Sequence, residues 1–160
     1  MRLRTPAEVR ARVPGERVLA WAPSGASTVV ATDDALVLPA GAVPERVTWD
    51  LVLRVSWEPG GFELVSQERP GARADTSQVP VPDPGALPGV VKERVNASIV
   101  VARQVVLDGE RGARIVARRT PGSSDLRWSV VFDAGLDPTD PALRAAADEA
   151  LAALRGSLGV

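Results

Sequence analysis

Turn-forming residues cut this chain into short pieces, and that punctuation limits the fold more than any other feature. Fourteen glycines and fourteen prolines are spread through 160 residues. Several stand together: Pro14-Gly15, Pro23-Ser24-Gly25, Pro59-Gly60-Gly61, Pro70-Gly71 and Pro121-Gly122-Ser123. Glycine and proline end regular elements for opposite reasons, one by conformational freedom and one by a fixed φ and a missing donor. The pieces between them are short and rich in β-branched residues, as strands joined by tight turns require.

Read in order, Thr5-Pro6-Ala7-Glu8 has the form of a capping box with proline at the first helical position. It predicts a short helix over 6–13. Strands are expected at Arg17–Trp21, Ser27–Thr32 and Ala35–Leu38, the last two joined by a hairpin at Asp33-Asp34. Val47–Trp57 reads as one longer strand, in which Leu51, Leu53, Val55 and Trp57 alternate with more polar positions. Phe62–Gln67 and Arg73–Val79 follow. Pro80, Pro82, Pro84 and Pro88 make 80–89 an internal loop or linker.

Val91 and Val95 stand four apart, so Val90–Ala97 reads as a helix and Ile99–Leu107 as a strand. A single longer helix across 90–107 is the alternative. Asp108-Gly109 then turns the chain, and Ala113–Arg119 pairs with Leu126–Phe132. Asp140-Pro141 opens a final helix over 141–156, with Leu143, Ala147, Leu151, Leu154 and Leu158 in one apolar stripe. Short connections imply antiparallel neighbours. The expectation is a single domain over 1–160 of the α+β class, mainly antiparallel β, as a split barrel or sandwich of short strands capped by the C-terminal helix. Alternation places Leu19, Trp21, Val30, Leu36, Leu38, Leu53, Val55, Trp57, Ile115, Trp128, Val130, Leu151 and Leu154 in its core. Trp49 and Phe62 are left as rim residues.

Composition narrows the chemistry. The chain has no cysteine, histidine or tyrosine. Thiolate metal sites, imidazole bases and phenolic acids are therefore excluded. The N-terminus lacks the apolar run of an export signal, and no stretch approaches the length of a membrane helix. A cytoplasmic location is the simplest expectation. Net charge is -1, which gives no general pull toward nucleic acid.

Charge is nevertheless uneven: 33–68 holds seven acids against two arginines, and 92–127 holds eight bases against four acids. Within the basic stretch, Arg114, Arg118 and Arg119 are candidate anion or partner contacts. On a strand Arg114 and Arg118 share one face and Arg119 takes the other. Asp33-Asp34 suits turn chemistry and Asp140 a helix cap, so neither they nor Asp133 and Asp137 form a calcium-type loop. Asp50, Glu58 and Glu63 lie near one hairpin and are the candidate pair-formers for carboxylate hydrolysis. Lys92 lacks the spacing to a serine that a lysine-dependent nucleophile needs, and no phosphate loop occurs.

Val29-Val30-Ala31-Thr32-Asp33-Asp34-Ala35-Leu36-Val37-Leu38 resembles the second hairpin of bacterial pleckstrin-homology-like (PH-like) domains. Val47-Thr48-Trp49-Asp50-Leu51-Val52-Leu53-Arg54-Val55-Ser56-Trp57 is similar to the family's next segment, where a tryptophan precedes an alternating strand. Together they cover about Arg17 to Gln67, and the helix from Asp140 matches by position the helix that caps the family's barrel. The resemblance implies a non-catalytic scaffold without cofactor that binds proteins, peptides or lipids, and it transfers no binding residue. A partner protein is therefore the first expectation. An anionic lipid or small ligand is the second, and a carboxylate-only hydrolase the third.

Overall fold

The computed structural model describes residues 4–69 and 72–159. Met1–Leu3, Val160 and the expected Pro70-Gly71 turn lie outside the described residues. The chain is α+β and mainly antiparallel, with three sheets and three helices among the described residues. Helix α1 (Ala7–Arg12) precedes β1 (Val18–Ser24), β2 (Ser27–Thr32), β3 (Ala35–Val37) and β4 (Arg46–Thr48), which form a sheet in sequence order. A 3-10 turn (Trp49–Leu51) leads into a second sheet of β5 (Val52–Glu58), β6 (Gly61–Ser66) and β7 (Asp75–Pro80). Helix α2 (Leu87–Ser98) runs directly into β8 (Ile99–Asp108). With β9 (Arg111–Arg119) and β10 (Leu126–Phe132), β8 forms a third sheet ordered β10-β9-β8, and α3 (Pro141–Leu158) follows.

Residues 90–107 are thus helix then strand. The junction falls at Ser98, whose hydroxyl donates to the Val95 carbonyl at 2.6 Å and closes the last turn. The final helix begins as its cap predicts, with Asp140 accepting from the Ala142 and Leu143 amides at 2.9 and 3.4 Å. It runs two residues past the expected end to Leu158. The first helix does not form its capping box. Pro6, not Thr5, occupies the N-cap position; it has no side-chain acceptor to cap the helix and no backbone N–H for a glutamate to bond. Arg12 anchors α1 instead. Its guanidinium donates to the Thr28 and Leu38 carbonyls and pairs with Glu45 at 3.1 Å.

The segment 47–57 is not one strand. Trp49 turns inward because its indole N–H donates to the Thr32 carbonyl at 2.9 Å, deep between the first two sheets. That contact breaks the segment into β4, the 3-10 turn and β5. A register shift between Val52 and Arg54 then moves Val52 to the core and leaves Leu53, Val55 and Trp57 only partly buried. Trp49 and Phe62, expected at the rim, are among the largest buried side chains at 2% and 1% exposure.

The main core lies between the first two sheets and α2. It joins Val29, Ala31, Leu36, Trp49, Phe62, Leu64, Leu87 and Val91. On the other side of the first sheet, Val9 and Val13 pack on Val30 and Val37. Of the expected core, Val30, Leu36, Leu38 and Ile115 are buried. Leu19, Trp21, Trp128, Val130, Leu151 and Leu154 are half-buried.

In the third sheet Gly112 has a strict role. A Cβ there would stand 1.7 Å from the Val105 carbonyl oxygen, so only glycine lets β8 approach β9 this closely.

Candidate functional site

Strand β5 is an edge of its sheet and is paired only with β6. Its other side therefore presents unpaired backbone donors and acceptors, the feature that added strands exploit. Arg54 and Ser56 face solvent, and Arg54 pairs with Glu63 across the hairpin at 3.2 Å. Val55 and Trp57 point the other way, toward α2. Trp57 leans on buried Phe62 with ring centroids 4.7 Å apart and planes at 46°, which fixes the outer ring.

The facing wall comes from α2. Pro88 starts the helix, and Val91 or Lys92 and Val95 or Asn96 recur on the same side one and two turns later. Val91 is buried, Val95 only partly, and Lys92 and Asn96 stand at the rim. Gly89 adds no side chain to that wall. The result is an open groove of about 470 Å³ between β5 and α2, with an apolar floor and polar edges. Alternation alone places Val55 and Trp57 in the core. The signal that they line a groove is the register shift at Val52, which alternation cannot reveal.

The arginines singled out from sequence do not gather. Arg114 is exposed on β9 and Arg118 is buried at 5% exposure. Arg119 lies in a separate cleft of about 140 Å³ with Arg94, Asp33 and the Thr120-Pro121-Gly122 turn. Arg118 sits opposite Arg127 on β10, near Asp50 of the 3-10 turn. Asp50 Oδ2 lies 2.5 Å from Arg127 Nε, and this pair of a buried acid and a partly exposed arginine fastens the third sheet to the first two. Burial lowers the Arg118 pKa, Arg114 lowers it further, and Asp50 acts to raise it. Arg118 Nε and Nη1 and Asp50 Oδ1 have no partner. Such orphaned groups are uncommon in folded proteins.

The acids also disperse. Asp50 binds Arg127, Glu63 binds Arg54 and Gln78, and Glu58 is exposed at the end of β5. Asp133 accepts from Gln104 and the Gly112 amide, and Asp137 from Thr139. Among the described residues no three acidic side chains gather as a metal site would need. No helix there is long and apolar enough to cross a membrane. Comparison with family models, curated proteins and solved structures gives no match.

Proposed function

We propose that the chain is a non-catalytic PH-like interaction module that takes an extended segment of a partner protein along β5. Seven antiparallel strands in sheets of four and three, followed by α2 packed across them, suit the arrangement the sequence resemblance implies. In this reading α2, not α3, is the capping helix. The observation that carries the functional reading is the apolar groove beside a one-sided edge strand. Backbone groups of β5 supply affinity, and alternate apolar side chains of the partner enter the groove between Trp57 and Val95. Lys92 favours an acidic residue at the rim.

Peptides selected from a displayed random library on the full chain test this. Selected peptides are expected to alternate apolar residues and to shift the amides of 52–58 and 88–96. Val95→Glu is expected to abolish that binding. Shifts confined to other elements, or binding unchanged in Val95→Glu, overturn the reading.

A second reading rests on the Arg94–Arg119 cleft, which suits a small anion. It stands behind the first because Asp33 lines the same cleft and Arg94 is already paired with Glu93 at 3.0 Å. Salt-sensitive binding of anionic vesicles that is lost in Arg119→Gln supports it. Salt-insensitive binding, or none, removes it.

A further inference from the structure

Two exposed charges of α3, Arg144 and Asp148, stand beside the apolar face that the helix turns inward, and Arg155 lies over the Trp128 ring 5.9 Å from its centre. Arg144, Ala147, Asp148 and Leu151 stand at i, i+3, i+4 and i+7 and so share one side of the helix. All four line a cavity of about 280 Å³ between α3 and β10. Trp128 and Phe132, two of the largest side chains in this half of the molecule, line it from the strand and remain half-buried.

Arg144 and Asp148 are both exposed where they line the cavity, so each keeps its hydration until a ligand takes its place. Among the described residues neither Arg144 nor Asp148 belongs to an ion pair, although they stand one turn apart. Arg144 makes one long bond, to the Pro138 carbonyl at 3.3 Å. An aromatic floor thus lies under two opposite, uncommitted charges.

We propose that this cavity binds a small zwitterion with an apolar side group, of the α-amino-acid type. The carboxylate pairs with Arg144, whose planar fork matches it. The ammonium group pairs with Asp148, and the side group lies against Trp128, Phe132 and Leu151. A simple anion meets repulsion from Asp148 and a simple cation from Arg144, so two-headed ligands are favoured over either. The volume lies below the usual range for drug-sized ligands and suits a molecule of amino-acid size. The site is independent of the β5 groove.

Titration of the full chain with L-phenylalanine, L-tryptophan and L-leucine, read by backbone amide shifts, tests the proposal. Phenylpropionate and phenethylamine serve as one-headed controls. At least one amino acid is expected to give saturable shifts in 126–132 and 141–151, with both controls weaker by about tenfold or more. Arg144→Gln and Asp148→Asn, both at exposed helix positions, are each expected to weaken amino-acid binding by a similar factor without changing helix content. Controls that bind as well as the amino acids overturn the proposal. So does the absence of shifts at millimolar ligand, or unchanged binding in either folded variant. If a variant does not fold, the comparison of ligands decides alone.

Discussion

Between Val18 and Ser98 several of the largest side chains are fully buried, whereas after Ile99 Trp128 and Phe132 are not. Trp49, Phe62, Leu36, Leu64 and Leu87 fill the space between the first two sheets and α2. In the third sheet the buried apolar residues are mostly small: Ala113, Ile115, Val116 and Ala117, with Ala147 from α3. Trp128, Phe132 and Leu151 are half-buried around a cavity. The helix explains part of this. Six of its residues between Ala145 and Ala153 are alanine, an excellent helix former that brings little volume to a contact. A sheet can therefore be well ordered by backbone pairing while its packing layer stays thin. The first region contributes most of the hydrophobic driving force, and the second has room for a ligand.

Four experiments sharpen or break this contrast. Trp49→Ala removes a fully buried ring and its bond to Thr32, and should cost about 3–5 kcal/mol in denaturant unfolding. Asp50→Ala leaves Arg127 and buried Arg118 without their acid. It should cost about 3 kcal/mol and loosen the third sheet first, as read by amide exchange in β9 and β10. Trp128→Ala should cost only about 1–2 kcal/mol, because the ring is half-buried beside open space. A cost equal to that of Trp49→Ala breaks the comparison.

The smallest effect concerns Asp137, fully exposed in the linker before α3. Bonds from the Thr139 hydroxyl at 2.6 Å and amide at 2.9 Å hold its pKa below the ordinary carboxylate value. The slight stability this gives is present above the unfolded pKa and is lost as pH falls through the folded one. Thr139→Ala should move the Asp137 titration back up in an NMR pH series, with almost no change in melting.

Most strand and helix boundaries were legible because glycine and proline act locally. Asp33-Asp34 turns, Asp140 caps and Ser98 closes a helix within a few residues of itself. The exceptions share one cause. Alternation of its neighbours puts Trp49 in a strand, yet its position is fixed by a carbonyl seventeen residues away. Alternation puts Val55 and Trp57 in the core because a period of two does not register a shift in pairing. The groove and the α3 cavity each need two elements far apart in sequence, so no local pattern announces them.

Helix α2 passes into β8 between Ser98 and Ile99 with no intervening loop. A peptide bond shared by wall and sheet offers no slack. Any occupant that pushes α2 away from β5 must also drag on the strand beyond it, where the thinly filled half of the protein is easiest to move.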